Sequence, residues 1–217
     1  MKIFRFGSCR SSIKGISKNH FVYNHDITHT TKEILQYLDF FFNKKNIKDC
    51  ENPECIMNEH DKFNPGYYSE QLKKCDIVYI EISSLKEIQD SKNFYYQSNR
   101  LKQDMKSKTF VANINTILDD LYKIKSIVKK PLIVQGHIDL YFENLPSLKE
   151  KNYKISNRKV IDDAIIKSGF TSIILKDIFR DNDWKKVCKE DTTHLTEHGL
   201  KLLASKFDNI VQYQKII

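Results

Sequence analysis

The chain is expected to fold as an α/β, three-layer sandwich around a central parallel sheet, in a single domain spanning residues 1–217. Three observations predict this. Cys75–Ile82 (CDIVYIEI) is a continuous apolar, β-branched run, the pattern of a strand buried on both faces of a parallel sheet. Short runs of this kind alternate with longer amphipathic helical stretches, as right-handed βαβ units require. No internal repeat, low-complexity tract or Pro/Gly-rich linker divides the chain.

The elements read as follows. Lys2–Phe6 is a short first strand. Thr31–Asn43 is a helix whose apolar stripe is Ile34, Leu35, Leu38, Phe41 and Phe42, capped by Thr30 or Thr31. The Cys75–Ile82 strand follows. Asn99–Lys130 reads as helical in two pieces, on a stripe of Phe110, Ile114, Ile117, Leu118, Leu121 and Ile124. Pro131 opens a third strand, LIVQGHI. Asn157–Ser168 is a helix with Gly169 as its C′ residue. Ser172–Leu175 is a fourth strand and Thr196–Phe207 the last helix.

Composition narrows the function classes. With 40% hydrophobic and 12% aromatic residues, the chain can bury a core and is not disordered throughout. No apolar run approaches the roughly 18 residues of a membrane span. The start, MKIFRFGSCR, lacks the apolar stretch of a signal peptide, so a cytoplasmic location is expected. The net charge is +8, but Lys supplies 31 of the 36 basic residues and is spread along the whole chain. Nucleic-acid binders cluster Arg and Lys with interleaved aromatics, so a general attraction to anions follows and a nucleic-acid function does not. The five cysteines, Cys9, Cys50, Cys55, Cys75 and Cys188, are odd in number and scattered, as free thiols in a reducing compartment are. Cys50-x4-Cys55-x4-His60 suggests a fragment of a metal site but matches no regular zinc spacing, and no metal is expected. Oligomeric state is not legible.

In open α/β sheets, function gathers beyond the carboxyl ends of the strands. Gly7–Arg10, Ser83–Lys86, Gln135–Asp139 and the loop before the last helix would meet there, each carrying polar residues. The turn after the first strand presents Ser8 and Cys9, of which one can attack. Cys9, placed where a strand feeds a helix N-terminus, would have its thiolate stabilised by backbone N–H groups. The late segment EDTTHLTEHG spaces Asp191 and His194 three residues apart. His194 suits a general base, and Asp191 suits the group that accepts its Nδ1 proton and fixes the tautomer. Together they form a nucleophile–base–orienter set for acyl transfer. An oxyanion or the substrate would need donors, for which the Cys9 backbone N–H, Ser8, Ser83 or Ser84, His29 and His137 are candidates. Glu81 is a buried carboxylate in want of a partner. His198 belongs on the exposed face of the last helix.

This pattern resembles the SGNH, or GDSL-type, hydrolase superfamily. FGSCRS lies over its Gly-Asp-Ser turn, with Gly7 on the Gly, Ser8 on the Asp and Cys9 on the nucleophilic Ser. DTTHLT with its following Gly lies over the closing Asp-x-x-His block. The nearest likeness is to a branch opening on Gly-Ser-Cys, related to acyltransferases of surface-polysaccharide synthesis. THTTKEILQYL, with His29, Glu33 and Gln36, also looks like a block of that branch. EISSLK stands where the superfamily has Gly-x-Asn-Asp, so the oxyanion Asn is missing. The resemblance implies an acyl esterase or an O- or N-acyltransferase acting on a small-molecule or carbohydrate substrate through a covalent acyl-enzyme. It implies no resident cofactor, with acetyl-coenzyme A as an admissible donor. The alternative is a relative that keeps the fold and binds glycans or anions without efficient chemistry.

Overall fold

The structure is a computed structural model describing residues 1–8, 20–25, 28–56, 63–96, 106–137, 156–180, 182–189 and 194–214. Five parallel strands form the central sheet: β1 (Lys2–Phe6), β2 (Phe21–His25), β3 (Ile77–Glu81), β7 (Leu132–Gln135) and β8 (Thr171–Ile173). Their order is β2-β1-β3-β7-β8. Register pairs Phe4 with Tyr23 and Val78, Tyr79 with Ile133, and Val134 with Ser172. The α/β reading holds.

Strand alternation divides the core in two. Phe4, Phe6, Val78, Ile80, Leu132 and Val134 face one layer. That layer contains α1 (Thr31–Phe41), α2 (Pro53–Ile56), α3 (Pro65–Lys74), α4 (Ile114–Val128) and α5 (Ser156–Lys167). Ile3, Ile77, Tyr79, Ile133 and Ile173 face the other, built from α6 (Leu175–Phe179), α7 (Trp184–Val187) and α8 (Glu197–Gln214). The first core is aromatic-rich: Phe41 stacks on Phe6 at 6.0 Å and on Tyr68 at 5.2 Å between ring centroids. In the second, Tyr79 meets Phe207 edge-on at 5.2 Å.

The helix ends follow capping chemistry. Thr30 Oγ accepts the Glu33 amide at 3.2 Å to start α1, and Asn113 Oδ1 accepts the Thr116 amide at 3.0 Å to start α4. Gly169, past α5, has φ +70°, which only a glycine adopts freely.

Several expectations are corrected. Asn99–Lys130 is not helical throughout: Ser107–Val111 is a strand, β6, and the helix begins at Ile114. β6 pairs antiparallel with β4 (Lys86–Asp90), and β5 (Tyr95–Tyr96) completes a second, three-stranded sheet. Phe110 matched a helical stripe, yet it lies on an edge strand whose residues are all exposed, so its spacing carried no burial signal. β2, β4 and β5 were not anticipated. The fourth strand is Thr171–Ile173, with Leu175 already in α6, and the last helix runs on to Gln214. Among the described residues, no helix is long and apolar enough to cross a membrane.

Candidate active site

The strand order reverses between β1 and β3. The chain leaves β1 for β2 on one side and returns to β3 on the other, which makes the carboxyl ends of β1 and β3 the topological switch point where open α/β sheets bind their ligands. Gly7 and Ser8 leave β1 there, His29 follows β2, Ser83 and Ser84 follow β3, and Gly136 and His137 follow β7. These loops are tied to one another. The Thr28 amide donates to the Gly7 carbonyl at 3.0 Å, and the Ser83 and Ser84 amides both donate to the His29 carbonyl, at 2.9 and 3.0 Å. The Ile82 amide donates to the Gln135 carbonyl at 2.9 Å.

A polar layer lies directly beneath. By alternation, Arg5, Tyr79, Glu81 and Gln135 point to the face covered by α8, and all four are buried. Arg5 and Glu81 form an ion pair at 3.6 Å, which supplies the partner that Glu81 required. Both continue to Ser8. The Ser8 amide donates to Glu81 Oε2 at 2.8 Å, the Ser8 hydroxyl lies 3.1 and 3.2 Å from the two carboxylate oxygens, and Arg5 Nη2 donates to the Ser8 carbonyl. Glycine at position 7 suits this packing: a Cβ would stand 2.9 Å from Glu81 Oε2 and 3.0 Å from Arg5 Nη2, and the pair would have to shift to admit it. The Tyr79 hydroxyl donates to Gln135 Oε1 in the same layer.

Ser8 is therefore 1% exposed, its hydroxyl directed into the protein onto Glu81. Cys9 and Asp191, the expected nucleophile and orienter, lie outside the described residues. His194 is described and half-buried. An antiparallel bridge between Cys188 and Leu195 closes the loop that carries it, and the Lys189 amide donates to the His194 carbonyl at 2.8 Å. Thr196 then starts α8, its hydroxyl accepting the Gly199 amide at 3.1 Å and donating to the Lys186 carbonyl. His198 is exposed, with Nε2 3.4 Å from Asn182 Oδ1.

The oxyanion candidates divide by what is already engaged. The Ser83 and Ser84 backbone amides are spent on His29. Ser84 Oγ accepts the Lys86 amide at 3.0 Å, which leaves its hydroxyl proton to give. His29 is half-buried, its amide donating to Glu33 Oε2 at 2.7 Å. Burial pushes the Glu33 carboxyl up to about 8, against the hydrogen bonds from His29 and Thr30, while the nearby Glu87 carboxylate adds to the rise. His137 is buried.

Sequence reading missed the part played by Arg5 and left Glu81 unexplained. The signal was present: KIFRF and IVYIE each carry one charge of opposite sign within an apolar strand. Two such strands side by side bring the charges together.

Cys50, Cys55, Cys75 and Cys188 are buried, and Cys50 Sγ lies 2.7 Å from the Tyr96 hydroxyl. The described residues hold no cluster of three or more His, Cys, Asp or Glu able to hold a metal; His60 lies outside them.

Comparison with known proteins agrees with this architecture. The structure is similar to that of a lipase/acylhydrolase from Enterococcus faecalis, at 14% identity and a TM-score of 0.50, covering 98% of this chain and 96% of that one. It is equally similar to an acetyl xylan esterase, at 12% identity and a TM-score of 0.51, covering 97% of this chain and 100% of the other. At such identities the likeness is one of fold, and the fold is that of the SGNH hydrolases. No curated protein matches the sequence. A family model, the TviD N-terminal domain, matches residues 1–116, a stretch from β1 through the loops after β2 and β3 to the start of α4. By that match, which takes in more than half of its length, the chain belongs to the TviD N-terminal domain family.

Proposed function

We propose that this protein is an acyl-transfer enzyme, an acyl esterase or an O- or N-acyltransferase, acting on a carbohydrate through Cys9, His194 and Asp191. The observation that carries the reading is the turn at the switch point. Ser8 is clamped into the protein on Glu81 and Arg5, which leaves the attacking role in this reading to Cys9. The proteins of similar fold include an acetyl xylan esterase, and that enzyme's substrate suggests an acylated sugar here.

In the proposed reaction the Cys9 thiolate attacks the acyl carbonyl, and a C–S bond forms as the carbonyl π electrons move to oxygen. The oxyanion is held by the Cys9 amide and the Ser84 hydroxyl, with His29 and His137 at the neighbouring strand exits. Collapse expels the donor's alcohol or thiol, which takes its proton from the His194 imidazolium. Water or an acceptor hydroxyl or amine then attacks the thioester, giving its proton to His194, and the Cys9 thiolate leaves. Asp191 holds the His194 tautomer throughout. This chemistry calls for no metal or prosthetic group, and acetyl-coenzyme A is a suitable donor for the transferase form.

A second reading, a glycan- or anion-binding relative without efficient chemistry, draws on one observation: no Asn stands in EISSLK, and the amides there are engaged by His29. Intact-mass spectrometry after incubation with p-nitrophenyl acetate or acetyl-coenzyme A decides between them. The enzyme reading expects an acetyl adduct that Cys9→Ala abolishes and His194→Ala slows. An adduct lost in Ser8→Ala but kept in Cys9→Ala would move the nucleophile. No adduct and no turnover would leave the binding module.

A further inference from the structure

Arg5 and Glu81 stand on adjacent strands, are 0% and 1% exposed, and both end on the residue before Cys9. A buried ion pair is a poor way to stabilise a fold, since apolar residues of similar volume serve as well or better. Its presence at the switch point therefore needs another reason, and the atoms it touches supply one. Three groups of Ser8 are held at once: amide and hydroxyl by Glu81, carbonyl by Arg5. A Cβ at Gly7 would also meet both side chains, at 2.9 Å from Glu81 Oε2 and 3.0 Å from Arg5 Nη2.

From this juxtaposition we infer that the Arg5–Glu81 pair is the positioning device of the nucleophile turn, and that Glu81 is the reason position 8 carries Ser. The inference rests on the reading of Cys9 as nucleophile. Neither side chain touches substrate; both act through Ser8, fixing the direction in which the next residue leaves the turn. A carboxylate at position 8 would meet the Glu81 carboxylate where the Ser8 hydroxyl now lies, and two like charges in a site closed to water repel strongly. A hydroxyl, by contrast, donates to Glu81. The opening Gly-Ser-Cys and the Glu at the end of β3 are thus one coupled choice.

The test compares wild type with Glu81→Gln, Arg5→Met/Glu81→Leu, Ser8→Asp, Ser8→Asp/Glu81→Gln and Cys9→Ala. Readouts are kcat and KM on p-nitrophenyl acetate and the pH profile of Cys9 alkylation by iodoacetamide, followed by peptide mass spectrometry. Circular dichroism and a cooperative thermal transition establish that each variant is folded. Glu81→Gln and the apolar double variant are expected to lose roughly tenfold or more in kcat with KM little changed, as misplacement of a reacting group does. Both should also change the pH profile of Cys9 alkylation. Ser8→Asp should lose kcat similarly, and adding Glu81→Gln should recover part of the loss. If Glu81→Gln leaves Arg5 unpaired and fails to fold, the apolar double variant, which leaves no charge behind, carries the test. Folded variants that keep wild-type kcat and alkylation profile overturn the inference, as does strict additivity of Ser8→Asp and Glu81→Gln. Activity that survives Cys9→Ala would instead remove the nucleophile reading. Activity lost in Cys9→Ala but kept in the two pair variants removes only the positioning role.

Discussion

Gly199→Ala sets two known effects against each other at the base of the His194 loop. Gly199 lies in the first turn of α8, where replacing Gly by Ala normally stabilises a helix by about 1 kcal/mol. Here a Cβ would stand 2.3 Å from the Val187 carbonyl oxygen, 3.1 Å from its carbonyl carbon and 3.2 Å from its Cα. These are backbone atoms, not the yielding end of a side chain. Ordinary contact needs about 3.5 Å, so α8 must withdraw from α7 by roughly 1 Å. That motion opposes the Thr196 amide bond to the Val187 carbonyl, 2.9 Å, and the Thr196 hydroxyl bond to Lys186. Overpacking costs about 1–3 kcal/mol and each hydrogen bond about 1 kcal/mol. The sum outweighs the propensity gain, leaving a net loss of about 2–4 kcal/mol. For a chain of this size that is a fall in Tm of roughly 4–16 °C, read by differential scanning calorimetry. Activity should fall as well, because Leu195 and Thr196 fix the loop that carries His194. An unchanged or raised Tm would show that helix propensity dominates and that the α7–α8 contact does not set this junction.

Other outcomes follow from the same structure. Glu33, pushed up to about 8, and Glu87, pushed up to about 7 chiefly by burial, ionise in the folded protein well above the ordinary carboxylate value of 4.5. Between those values the folded state binds more protons than the unfolded one, so wild-type stability should fall as pH rises from about 5 to about 8. Denaturant melts of Glu33→Gln/Glu87→Gln should show a flatter profile over that window; an equal slope would count against the assignment. Burial pushes the Cys75 thiol up to about 11 and raises Cys50 as well, and Cys55 and Cys188 are also buried. Iodoacetamide at pH 7.5 (about one unit below an ordinary thiol) should therefore spare all four until the protein is unfolded, as peptide mapping would reveal. Phe41→Ala removes a ring packed on Phe4, Phe6 and Tyr68, and should cost about 3–5 kcal/mol in urea melts.

Much of the architecture was legible because its signals are local. The CDIVYIEI run announced a central strand by composition alone, and α1 and α5 were marked by apolar period and by Thr30 and Gly169 at their ends. The segments that misled were those whose character depends on a distant partner. β4 is KEIQD, with little to mark it as a strand until it pairs with β6. Phe110 fitted a helical stripe by coincidence of spacing.

The candidate site divides along the same line. The sequence by itself determined the α/β class, the loops that would carry chemistry, and the residue types there: a thiol and a hydroxyl after β1, a histidine before the last helix. Only the tertiary structure decided that the Ser8 hydroxyl is buried on Glu81, that Arg5 is the partner Glu81 needed, and that the Ser83 and Ser84 amides are taken by His29. Periodicity and residue type report on neighbours a few positions away, whereas these contacts join residues about 50 to 75 positions apart in the chain. Such pairs are set by strand order and register, which no local pattern encodes.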